Sequence, residues 1–304
     1  MMRHFYYTIQ TLLHERGVNI IKIISMTLGI FVGILLFSCV AFQLSYYNFC
    51  PQSEQLYVTY MDGPFTYGPF SAAMRENFPK EVEDATILRD MGTNVFYNGN
   101  VRLTESTIYA DEHLFSTLGL KLLIGKAEEL TRPDVLFISR SLAEKMGGIE
   151  KVEGLTIIPD ENPGLEVTIG GVFEDLPQNA SLRYDMLVAM SGMDPESLNN
   201  WLGNDRYAGY VRLSPGVTPD SLTPAIHDMT LRHHDQEALR KSGYELTYTL
   251  RPLLDLHSKA GEVKNMVMML GILAFALLFT AIMNYILITI SSIVNRTKEV
   301  AVHK

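Results

Sequence analysis

The chain has 304 residues, 47% of them hydrophobic, with a mean hydropathy of +0.09 and a formal net charge of −9. These values fit neither a plain soluble globule nor a multi-span channel. The charge is unevenly spread: residues 45–263 carry 18 basic and 32 acidic side chains, a formal net of −14, which argues against nucleic acid and against tight docking on anionic lipid.

The first segment, residues 1–19, places Phe5, Ile9, Leu12 and Leu13 at helical spacing, with Arg3, Gln10, His14 and Arg16 largely elsewhere around the helix. An amphipathic helix lying in the inner interface is expected, or else a short extension of the span that follows; Gly17 would make the break. Ile23 to Phe42 is then a run of 20 uncharged residues. About 20 apolar residues in a helix cross the hydrocarbon core of a bilayer, so residues 20–44 are predicted to be a first transmembrane helix. No small-x-small cleavage site follows it, so it is read as an uncleaved anchor. Gly29 and Gly33 form a small-xxx-small pair that lets another helix approach closely, although glycine is common in membrane helices whether or not they pack. Cys39 and Cys50 lie eleven residues apart, roughly 16 Å in a helix, and are not expected to pair.

Residues 45–263 are expected to form one α+β domain or two joined lobes. Strands are predicted at 56–61, 101–110, 135–138, 166–173, 184–189 and 207–213, with 244–250 leading back to the membrane. Asp111 should cap a short helix ended by Gly119, and Ser139 a helix that stops at Gly147 and Gly148. The pair Gly170 and Gly171 predicts a bulge or a tight contact. Thr218 and Pro219 should open the longest helix of the domain, running to about Lys241.

Chemistry is sparse. His113, His227, His233, His234 and His257 do not fall at metal-ligand spacing, and the last helix's histidines are expected on its surface. Asp84, Glu174 and Asp175 are expected to be solvated. No nucleophile elbow and no phosphate-binding loop occurs, since Gly125 and Lys126 continue as Ala127 and Glu128. No catalytic, cofactor or metal site is therefore predicted.

The second uncharged stretch, Asn265 to Asn295, implies a second transmembrane helix over 264–292. Asn284 is its notable polar residue and is read as a helix-packing contact, its amide bonding another helix. Residues 293–304 continue in helix-compatible sequence to Lys304. Arg3, Arg16 and Lys22 precede the first span and Arg296, Lys298 and Lys304 follow the second, with only Glu15 and Glu299 acidic, so both termini are expected in the cytoplasm. Two helices alone make a poor pore; a transport pathway would need partners.

The order of segments resembles the N-terminal half of an ABC transporter permease of the MacB/FtsX type, close to versions typical of Bacteroidota. Asp111 through Gly119 with Gly125-Lys126, the strand-serine-helix unit from Val135 to Lys145, the stretch from Gly171 to Leu182, and the segment from Arg296 to Lys304 carry that resemblance. It implies that residues 45–263 are a periplasmic core domain of two mixed lobes held in the inner membrane by two helices. It also implies that residues from 293 onward begin a cytoplasmic coupling segment, with Arg296, Lys298 and Glu299 contacting a separate ABC ATPase subunit that binds the ATP. Family permeases continue with further spans, so the end at Lys304 reads as a truncated product or as a half completed in trans by a second copy or a missing C-terminal half. Membrane lipid is the other expected partner. The alternative, a two-span sensor, shares the topology but wants an output module for which 291–304 leave no room.

Overall fold

A computed structural model describes residues 18–302 except 62, 182, 203–204, 236, 239–240, 242 and 244–246. The amphipathic segment expected before residue 18 lies outside the described residues. Two compact units result, one from the two long terminal helices and one spanning Tyr46–His257.

In the first unit, helix α1 covers Val18–Leu44 and the C-terminal helix Gly261–Val302. Their windows Ile23–Leu44 and Gly261–Leu287 each have a mean hydropathy of 2.5, long and apolar enough to cross a membrane. Only 6% and 11% of those windows is buried, which separates them from the core helices of a globular domain. Leu28, Phe31 and Ile34 on one, and Ile272, Phe275 and Phe279 on the other, face outward, as a hydrocarbon solvent permits. The C-terminal helix does not stop at the end of its apolar window. It continues 15 residues past Leu287 without a break, through residues 293–302.

The second unit is an α+β fold on ten strands: β1 Leu56–Tyr60, β2 Val82–Asn98, β3 Val101–Ala110, β4 Leu122–Ile124, β5 Val135–Ser139, β6 Thr156–Pro159, β7 Val167–Phe173, β8 Met186–Ala189, β9 Ala208–Leu213 and β10 Thr249–Pro252. They run in the order β10-β1-β9-β2-β3-β8-β5-β7-β4, while β6 pairs with both β2 and β7. That double pairing closes β2, β3, β8, β5, β7 and β6 into a six-stranded barrel. Phe96, Leu136, Ile138, Ile157, Ile169 and Met186 fill one buried cluster there. Leu142 and Ala143 of α4 (Arg140–Lys145) and Val152 of α5 (Ile149–Val152) join it.

The second lobe is the β10-β1-β9-β2 portion of the sheet. Helices α2 (Phe70–Asn77) and α3 (Pro219–Leu231) supply Phe70, Met74, Ile226 and Met229 to a cluster with Val211 and Tyr248. Phe70 and Tyr248 stack at 5.1 Å. A further cluster around Leu88, Ile108, Phe137, Phe173 and Leu187 joins strands of both lobes.

Several expectations need correction. The 17-residue strand β2 was not expected, because a bulge between Asp90 and Thr93, with Gly92 at φ +67°, interrupts its alternation. Helix α3 ends at Leu231, ten residues short of Lys241, because Asp235 accepts the amides of Glu237 and Ala238 and starts a fresh turn. Asp111 does not cap with its side chain: the short helix starts at Leu114, and the carboxylate turns instead to Thr86. Gly119 does end that helix in the left-handed region, at φ +67°. Ser139 caps α4 by accepting the Leu142 amide at 3.3 Å. Gly170 sits at the register shift between β5 and β7, where Leu136 pairs with Ile169 but Phe137 with Gly171.

Candidate functional site

The two long helices meet through small residues. A Cβ on Gly29 would collide with that of Ala281, and one on Gly33 would come within 2.8 Å of the Leu278 side chain. The pairing of 29 with 281 and 33 with 278 makes the helices antiparallel. Beside this contact a groove of about 250 Å³ is lined by Ser25, Gly29, Val32, Thr280 and Asn284. Thr280 bonds back to the carbonyl of Ala276 at 2.7 Å. The Asn284 amide is exposed and makes no hydrogen bond among the described residues. An exposed amide at membrane depth is costly against lipid and favours a neighbouring helix. Arg296, Lys298 and Glu299 lie on the final turns of the C-terminal helix; their side chains lie outside the described residues.

In the globular unit, the segment after β7 forms a polar network. Asp175 accepts from the Ser141 amide at 2.9 Å and from its hydroxyl at 2.5 Å, while Arg140 pairs with Glu174 at 2.9 Å. Asp185 receives Ser106 at 3.2 Å and Ser139 at 3.1 Å. Asp175 is exposed, as expected from sequence, and Glu174 half-buried, but both carboxylates are engaged and tie the segment after β7 to the start of α4. A cleft of about 650 Å³ opens beside them, lined by Ser106, Ser141, Asp175, Ser181 and Arg183. Ser141 has a carboxylate neighbour and no imidazole among the described residues, so this reads as a structural network rather than a nucleophile with its base.

A second cluster brings together residues that the sequence presents separately. His113 Nδ1 lies 2.8 Å from Asp84, and the Ser116 hydroxyl donates to the same carboxylate. Behind it Asp111 receives Thr86 and faces Arg75 at 4.0 Å. Burial pushes the Asp111 carboxyl up to about 6, against the opposing pull of Thr86 and Arg75. Burial also works to raise Asp84, but hydrogen bonds from His113 and Ser116 overcome it and hold that carboxyl low. The hydrogen bond to Asp84 lifts His113 above its ordinary value, against burial. The members come from α2, β2 and the segment after β3, so no local spacing announces them. No group of three or more potential ligands suited to a metal occurs among the described residues. His234 is buried at 8% exposure rather than on a helix surface, with its neighbour His233 stacked on Trp201 at 4.4 Å. Burial depresses His234.

A family model described as the MacB-like periplasmic core domain matches residues 20–229. Among solved structures, a domain of a protein described as a permease from Porphyromonas gingivalis is 39% identical, covers 67% of this chain and 92% of its own, and superposes with a TM-score of 0.61. The periplasmic region of MacB from Actinobacillus actinomycetemcomitans gives 15% identity, 69% and 94% coverage and a TM-score of 0.45. The extracellular domain of the noncanonic ABC-type transporter YknZ from Gram-positive bacteria gives 11%, 64% and 99%, and 0.43. No curated protein matches.

Proposed function

The chain belongs to the MacB-like periplasmic core domain family, and from that premise we propose that it is a permease subunit that relays ATP-driven motion in a partner to its periplasmic domain. The fold and the two apolar helices fit a MacB/FtsX-type permease of the inner membrane. ATP binding and hydrolysis belong in this reading to a separate ABC ATPase. Both termini lie in the cytoplasm, as the basic residues flanking the spans favour.

The observation that carries the proposal is the C-terminal helix. It runs unbroken for 42 residues, from Gly261 through the apolar window to Val302, past the basic positions Arg296 and Lys298. At about 1.5 Å per residue that is roughly 63 Å of continuous rod, about twice the hydrocarbon thickness. A displacement at its basic end is delivered along the helix axis rather than lost in a hinge. Small-residue contacts at Gly29 and Gly33 make α1 follow it.

The test is co-expression of the full chain with an ABC ATPase of the MacB/FtsX type from the same genome. Co-purification and ATPase activity should both fall when Arg296→Glu and Lys298→Glu are combined, with the chain still inserted. An ATPase that never co-purifies would sink the reading. So would a labelling pattern that puts an introduced cysteine in the loop at 160–166 on the same side as one at residue 300.

A further inference from the structure

The closed barrel has a cavity at one end, where β5 and β7 begin and β3 and β8 finish. About 100 Å³ of space lies there, walled by Val95, Tyr109, Pro133, Val167 and Val188. The walls are mainly apolar, with Asn94 and Thr107 among them: Phe96 and Val167 belong to the buried barrel cluster, and Val188 packs against it. Helices α4 and α5 contribute to that cluster, so the barrel is filled except near its mouth. Met91, from the β2 bulge, and Leu165, from the loop between β6 and β7, stand at the opening, 38% and 41% exposed.

The mouth is not neutral. Glu161 lines the same cavity. The loop that carries it, residues 160–166, holds Asp160, Glu161 and Glu166 and no basic residue, and all seven positions are exposed. The Tyr109 hydroxyl makes no hydrogen bond among the described residues. Tyr109 and Glu161 line the same cavity; burial raises the tyrosine's pKa first, and the negative charge of Glu161 adds to that rise. Arg89, the cation that opposes this rise, is already committed to Asp205 at 2.9 Å.

We propose that the barrel mouth of this domain is a binding site for a compact organic ammonium ion whose apolar body enters between Val95, Val167 and Val188 while its charged nitrogen meets Glu161 and Tyr109. About 100 Å³ is two-thirds of the roughly 150 Å³ that encloses benzene, so the space takes a branched aliphatic group, or a phenyl ring whose outer edge stands in the mouth. A carboxylate at the rim and an apolar floor select a cation and reject an anion of the same shape. Mouths of small barrels are a common place for such sites. The site rests on the barrel closure and the acidic loop, and it stands or falls independently of how the C-terminal helix meets a partner.

The test uses the full chain in nanodiscs of zwitterionic lipid and reads binding by fluorine NMR of 4-fluorobenzylamine, with 4-fluorotoluene and 4-fluorobenzoate as neutral and anionic counterparts. The amine should bind saturably and more tightly than both. Glu161→Gln should weaken the amine roughly threefold to fivefold, in keeping with an exposed ion pair, and leave 4-fluorotoluene unchanged. Leu165→Trp, in the exposed loop, should block the mouth and abolish binding of the amine and of 4-fluorotoluene. Saturation equally tight for the benzoate, an amine affinity indifferent to Glu161→Gln, or no saturable amine binding at all would each overturn the assignment. Glu161→Gln is exposed and decides the matter whether or not the tryptophan variant folds.

Discussion

Gly125 lies directly against the backbone of Gly170. A Cβ at Gly125 would meet the Gly170 carbonyl and come within 2.8 Å of the Gly171 Cα, and Gly125 itself sits at φ +88°. The segment that follows β4 is thus pressed onto the bulged stretch of β7, and both sides of the contact must be bare backbone.

Gly125→Ala should therefore destabilise the globular domain more than a typical surface change. It introduces a left-handed alanine and a backbone overlap, together costing about 2–4 kcal/mol. Chemical denaturation of the full chain, followed by the fluorescence of Trp201, measures it. A loss of only a few tenths would show that β4 can lift away from β7.

The helix pair offers a rescue experiment. Gly29→Ala should loosen the contact with Ala281 by roughly 1–3 kcal/mol, as overpacking does. Adding Ala281→Gly moves the methyl to the other side and should restore most of the loss. Thermal melts in detergent with a cross-link readout between the helices follow both. Failure of the second change to rescue would mean that the glycine is not there for closeness.

Ser139 has two tasks, accepting the Leu142 amide and donating to Asp185. Ser139→Ala removes a helix cap and one of the hydroxyls that Asp185 uses. A destabilisation of about 1–2 kcal/mol is expected. Asp185→Asn in the same background should then cost less than it does alone, a coupling that a double-mutant cycle reads directly.

The buried carboxyl of Asp111 predicts a pH dependence. Its folded pKa of about 6 lies above the unfolded value of 3.8, so its contribution is complete in acid and is lost as pH rises through about 6. His113, also raised, acts with the same sign as pH climbs through its folded value. Asp84, held low, acts oppositely and matters only in acid below its unfolded value. Asp111→Asn should thus be more stable than the parent at pH 8 by roughly 3 kcal/mol and indistinguishable near pH 4. A parent domain whose melting temperature does not fall between pH 5 and pH 8 would contradict this.

What could be read from residues alone was whatever is local. The two long apolar helices follow from uninterrupted apolar runs, and β5 with its Ser139 cap from a hydrophobic strand followed by a serine and a helix. The glycine pair at 170 and 171 marked the bulge because glycine in a strand leaves a backbone bare. What stayed hidden depends on distance or interruption. Strand β2 carries Glu83, Asp84, Arg89 and Asp90 and breaks at Gly92, so no period of two survives along it. Asp111 looks like a cap until Thr86, 25 residues earlier, claims its side chain. His234 looks like a surface histidine until the helix ends three residues before it and turns it inward. The site at the barrel mouth depends on β6 pairing on both sides, which no single stretch records.

Strand β2 also has a bearing on how the domain carries stress. Its first half pairs with β9 and its second with β3 and β6, so one 17-residue strand, about 55 Å long, belongs to both lobes. Tension between the lobes is therefore held by covalent backbone and a hydrogen-bond ladder as well as by the side-chain cluster that joins them. Gly92, with open space around it, is where that girder can flex.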